Sequence, residues 1–165
     1  MEQKISSPVH TGTKSLFPAL LVAGFIVGLL DALAASVSSY FPKGITPDKV
    51  FRYVASGVFG KDAFAGGVPT ALAGLFFHFV IAYGWTTLFF LAYPRVKLLS
   101  ENKYIVGMLY GVFVLLSMNL VVVPLSNVPS PNPGTVQVQQ LFIHMFLVGL
   151  PISLLANRYY SKQDL

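Results

Sequence analysis

Four times along this chain, twenty or more consecutive residues pass with at most one charged side chain: 16–40, 69–93, 104–123 and 136–157. A helix rises about 1.5 Å per residue, so each run is long enough to cross the roughly 30 Å hydrocarbon core of a bilayer. The sequence therefore predicts an all-α membrane protein, a bundle of four transmembrane helices. Of the 165 residues, 10% are charged. A water-facing domain carries about 25%, so there is too little charge to cover a soluble surface. The 14 Phe and 8 Tyr equally oppose disorder.

The flanks and loops divide the chain further. Residues 1–15 are polar, contain Lys4 and Lys14, and show no apolar periodicity, which predicts a cytoplasmic tail. Residues 16–158 form the transmembrane domain and 159–165 a second cytoplasmic tail. A rival reading takes residues 16–30 as the core of a cleaved signal, with Ala32-Leu33-Ala34 as the cut. The apolar character runs well past that point, which favours a retained span.

Residues 41–62 are the most charged stretch, with Lys43, Asp48, Lys49, Arg52 and Lys61. Thr46-Pro47-Asp48 looks like an N-cap followed by proline at the first helical position. Val50, Phe51, Val54, Val58 and Phe59 then share a face opposite Lys49, Arg52 and Ser56. The pattern predicts a short amphipathic helix lying in the membrane interface between spans 1 and 2. A lid or a docking element for a partner is the sharper form of the same reading. Gly57, Gly60, Gly66 and Gly67 then interrupt the chain. Pro94, Arg95, Lys97, Glu101 and Lys103 make a basic second loop, and Pro124 ends the third span. The third loop holds Pro129, Pro131 and Pro133 and no charge. Tyr40, Tyr93, Tyr104, Tyr159 and Tyr160 stand near the span ends, where amphipathic rings favour the headgroup level.

Orientation follows from Lys and Arg. The tails and middle loop hold Lys4, Lys14, Arg95, Lys97, Lys103, Arg158 and Lys162, against Lys43, Lys49, Arg52 and Lys61 on the other side. The excess predicts both termini in the cytoplasm. The net charge of +5 is scattered through short loops, which fits a partner of anionic lipid and argues against nucleic acid.

Asp31, His78 and His144 are placed where polarity is costly, and such groups normally face the bundle interior. Asp31 precedes Tyr40 by nine residues, His78 follows Pro69 by nine and His144 follows Val136 by eight. At about 1.5 Å per residue all three reach one depth, roughly 12–14 Å from the same side. Asn119 is shallower, and Gln139 and Gln140 lie nearer one end. The small residues agree with burial, since they let helices approach closely in lipid. Gly24, Gly28 and Ala35 lie with Asp31, and Ala71, Gly74 and Ala82 with His78. Gly107 and Gly111 form a G-x-x-x-G with Asn119 two turns on. Gln137, Gln140, His144 and Pro151 share a face of the last span. Leu75-Phe76-Phe77-His78 and Leu141-Phe142-Ile143-His144 also echo one another, as a duplicated hairpin would.

The run from Leu75-Phe76-Phe77-His78 to Tyr93-Pro94-Arg95-Val96-Lys97, the glycine-rich third span ending in Pro124-Leu125, and a last span with a histidine after Leu141-Phe142 resemble the YagU-like bacterial inner-membrane proteins. The resemblance covers about residues 67–160. It implies a bacterial inner membrane and carries over no catalytic residue.

The candidate site is thus a polar intramembrane cluster of Asp31, His78, His144, Asn119 and Gln140. It would either tie the bundle together or relay protons and bind a small polar or cationic solute. Two histidines on two helices would also suit axial ligation of a haem, and with Asp31 they would make a three-ligand metal site; no cofactor is the leading expectation. The charged first loop and proline-rich third loop would serve a scaffold in a membrane complex. The glycine faces would serve equally within one chain or between copies of it. The chain has no phosphate loop, H-E-x-x-H or G-x-S-x-G, no second acid at the depth of Asp31, and no cysteine. An enzyme is therefore the weaker expectation.

Overall fold

The computed structural model describes residues 15–129 and 138–162. Expectations that fall on Lys4, Lys14, Pro131, Pro133, Val136 and Gln137 lie outside the described residues. Among those described the chain is helical, without strands. Its elements are α1 Leu16–Lys43, α2 Pro47–Phe59, α3 Gly67–Ala92, α4 Leu98–Glu101, α5 Lys103–Leu125 and α6 Val138–Tyr160. The four long helices α1, α3, α5 and α6 are long and apolar enough to cross a membrane. The architecture is the expected all-α bundle of a multi-pass membrane protein.

Local chemistry sets the ends. α1 stops where Gly44 turns left-handed at φ 62°, its N–H bonding Tyr40 O at 2.8 Å while Ile45 N–H bonds Ser39 O at 3.2 Å. α5 starts at Asn102, whose Oδ1 accepts the N–H groups of Tyr104 and Ile105. Thr46 holds the N-cap position of α2 but makes no side-chain bond to a backbone N–H there. Its hydroxyl goes to Asp48 instead, and with the Arg52 guanidinium holds that carboxyl below the ordinary 3.8. A depressed native pKa adds stability above the unfolded value and loses it as pH falls through the native one. Hydrogen-exchange protection of α2 should therefore hold from pH 7 down to about 3.8 and fall only in more acid solution.

The third span ends one residue past Pro124, at Leu125. Proline lacks the N–H that continues an α ladder and crowds the carbonyl four residues back. The helix absorbs this by widening into a π-type turn over Met118–Val122, just before Val123-Pro124. α6 does the same over His144–Gly149, just before Leu150-Pro151. Such widened turns let a membrane helix keep its backbone satisfied across a proline.

Packing depends on where glycine lets backbones meet. α5 and α6 approach most closely at Gly107 and Gly111, which face the backbone of His144, Met145, Gly149 and Leu150. On α1, Gly24 and Gly28 face the rings of Tyr83 and Phe79. α2 crosses α3 at Gly74, whose missing side chain admits the Phe51 carbonyl and the Ala55 N–H. Gly74 lies seven residues from Gly67, about 10 Å down α3. α2 therefore packs closely on α3, with Ala55 and Ser56 fully buried. Its far end is fastened to α5 by Asn127, which donates its backbone N–H to Gly57 O and its Nδ2 to Val58 O, both at 3.0 Å.

The α4 end of the bundle is closed by aromatic rings. Phe89 and Phe90 are 1% and 0% exposed, and Ile152 and Ala156 are fully buried beside them. Tyr93 stacks on Tyr160 with centroids 5.1 Å apart, and Asn157 Nδ2 donates to the Tyr93 hydroxyl at 2.9 Å. Tyr160 OH donates to Phe90 O at 2.8 Å. Tyr93, placed near a span end, is thus a core residue here, whereas Tyr40 and Tyr104 are exposed.

Candidate functional site

A mostly enclosed cavity of about 110 Å³ lies in the middle of the bundle. Asp31 of α1, His78 of α3 and His144 of α6 all line it, and Val54 of α2 and Met118 of α5 complete a wall drawn from five helices. Its volume is that of a pocket for several waters or one small ion, since one water needs about 10–15 Å³ on this measure. Trp85 and Val148 sit at its base, one turn above the aromatic closure at Phe89 and Ile152.

The two histidines are anchored differently. His78 Nε2 lies 2.9 Å from the carbonyl of Gly28, linking α3 to α1. His144 Nδ1 lies 2.9 Å from the carbonyl of Gln140, one turn back on its own helix. A carbonyl only accepts, so each of these nitrogens carries the proton. In the neutral rings the other nitrogens, Nδ1 of His78 and Nε2 of His144, are therefore lone-pair acceptors. Phe51 of α2 meets the His78 ring edge-on, with centroids 6.1 Å apart. The sequence echo around the two histidines is thus not an echo in what they bind.

Asp31 is different again. Among the described residues it has neither a hydrogen bond nor an ion pair to the protein, the one salt bridge being Arg52 with Asp48. The Trp85 indole N–H is already committed to Met118 Sδ at 3.4 Å. The lining therefore presents one carboxyl and two imidazole acceptors, with its other donors engaged.

The remaining two polar candidates turn elsewhere. Asn119 Nδ2 folds back onto Leu115 O at 2.9 Å, spent on its own helix beside the widened turn. Gln140 contributes its carbonyl to His144, while its side chain lines a separate groove beside α2. Sequence reasoning missed Val54, Trp85 and Met118 as lining residues and Gly149 as a packing residue. Gly149 did carry a signal, five residues after His144 on the small face opposite Gly107 and Gly111.

Among the described residues no three His, Cys, Asp or Glu side chains gather as a metal centre requires. The cavity is well below the roughly 300 Å³ at which pockets take drug-sized ligands. No protein-family model, curated protein or solved structure matches the chain.

Proposed function

We propose that the Asp31 cavity takes up a proton or a small cation from the α2 end of the molecule. The observation that carries this is Asp31 itself, a carboxyl near mid-span that lines a cavity with room for several waters and has no partner among the described residues. An ionisable side chain at membrane depth is costly unless it finds a partner, and a bound ion would supply one. The free imidazole nitrogens add acceptors of the kind that hold a cation or pass a proton. The aromatic closure at Phe89 and Phe90 supports access from one end only, so the resting state resembles an uptake site more than an open conduit.

A purely structural tie accounts for His78, which joins α3 to α1, but gives Asp31 nothing to do. As part of the same proposal the chain is a YagU-like protein of the bacterial inner membrane, with both termini cytoplasmic and the α2 end outermost. The span pattern over residues 67–160 and the excess of Lys and Arg on the termini's side support that placement.

The decisive variant is Asp31→Asn, which keeps the size and removes the charge. Purified protein in liposomes should take up about one proton or one monovalent cation per chain after a pH or cation jump. The variant should bind about 100-fold more weakly, the scale of an intramembrane charge. Undiminished uptake by folded Asp31→Asn protein would sink the proposal.

A further inference from the structure

A second site lies at the edge of α2, apart from the Asp31 cavity and independent of what that cavity does. A groove of about 740 Å³ opens between the end of α1, the start of α2 and the start of α6. Lys43, Lys49 and Arg52 line it, and Ser39 and Gln140 add uncharged donors. Arg52 is pinned in place, donating Nη1 to Phe64 O at 2.9 Å and Nη2 to Asp48. Its Nε is buried without a partner. Lys43 and Lys49 have no acidic partner among the described residues, so one carboxylate answers three cations.

We infer that this groove binds the phosphate of an anionic phospholipid. Its volume falls within the roughly 300–1,000 Å³ of small-molecule sites. Its level is right, because it sits where the apolar run of α1 gives way to Lys43 and where α2 begins. The ammonium groups of Lys43 and Lys49 supply charge beside the Arg52 guanidinium, which Phe64 O and Asp48 hold in place, and lysine and arginine together are the side chains that phosphate recognition uses. Basic pockets between transmembrane helices hold lipid headgroups on the cytoplasmic side of membranes, and the same donor chemistry serves a headgroup on either side. The remaining walls decide between a lipid and a free anion. Ile45, Val50, Tyr53 and Phe64 line the same groove, and a hydrated inorganic phosphate would leave them uncovered. The glycerol and upper acyl segments of a lipid would cover them.

The test uses the full chain in nanodiscs of phosphatidylcholine, titrated with labelled phosphatidylglycerol. Each basic group near a membrane surface contributes about fivefold in affinity, so Lys43→Gln with Lys49→Gln should weaken binding about 30-fold. Both lysines are exposed and, among the described residues, unpaired, and circular dichroism should show the fold intact. Lys97→Gln with Lys103→Gln removes equal charge from the opposite end and should leave binding unchanged. Wild-type affinity in the first double variant overturns the inference. So does an equal loss in the second, which would mean general attraction to the surface. Saturable binding of inorganic phosphate alone, displacing the lipid at millimolar concentration, would make the groove a free-anion site and also overturns it.

Discussion

Gly149→Ala is expected to part α5 from α6, lowering the unfolding free energy by about 1–3 kcal/mol or more, the cost of overpacking a close contact. A methyl on Gly149 would fall on the carbonyl oxygen of Gly107 and on the backbone of Gly111. A methyl on Gly111 would meet the His144 carbonyl and lie 2.7 Å from Met145 Cα. These obstacles are backbone atoms, which cannot rotate aside as a side chain does. Gly24 provides the contrast, since a methyl there meets the Tyr83 ring, and Gly24→Ala should cost less. Gly84 has nothing within 4 Å of the added carbon, so Gly84→Ala should be neutral or stabilising by about 0.5–1 kcal/mol. Thermal or denaturant unfolding in one detergent would rank the three. If Gly149→Ala unfolds no earlier than Gly84→Ala, the close backbone contact is not what holds the pair. The same substitution should loosen the polar cavity, because the contact lies along the His144–Gly149 turn that carries His144 and Val148 into its wall.

That coupling also shows why some of this molecule could be read in advance and some could not. Four spans are legible because charge is costly in hydrocarbon, so its absence over twenty residues marks each one. The common depth of Asp31, His78 and His144 comes from counting residues at a fixed rise. The side chains that complete the cavity are a different matter. Val54, Trp85 and Met118 are apolar, and in a membrane protein the lipid-facing and inward-facing surfaces are both apolar, so no periodicity separates them. Polar character misled in the opposite sense at Asn119, which satisfies Leu115 O, and at Gln140, which faces the basic groove. Pro124 read as a stop because a proline normally ends an α ladder. The helix passes it with a widened turn, and Pro151 sits after a second one. Proline therefore marks both irregular turns beside the cavity, a rule visible in the sequence only once the helices are known to continue. The close seat of α2 on α3 was hidden because Gly74 meets the backbone of Phe51 and Ala55, and backbone has no sequence pattern.

The aromatic closure yields the other large expected effect. Phe89→Ala should cost about 3–5 kcal/mol, as loss of a fully buried ring does, and, with access from the α2 end as proposed, should also turn the cavity into a leak. Phe89 is 1% exposed, with its ring 4.7 Å from Tyr110 and 5.9 Å from Tyr93. It stands one turn beyond Trp85, the residue at the base of the cavity. Removing it opens space between the polar lining above and the hydroxyls of Tyr93 and Tyr160 below, a gap that water can enter once polar partners flank it. Liposomes containing wild-type protein should hold a pH gradient, while those containing folded Phe89→Ala should dissipate it. Adding Asp31→Asn separates the routes. If protons pass through the acceptor cluster, the double variant should hold its gradient again, because the carboxyl that receives them is gone. A double variant that leaks as fast as Phe89→Ala would mean that the opened path bypasses Asp31. A folded Phe89→Ala protein that holds its gradient would mean that the barrier lies elsewhere in the bundle.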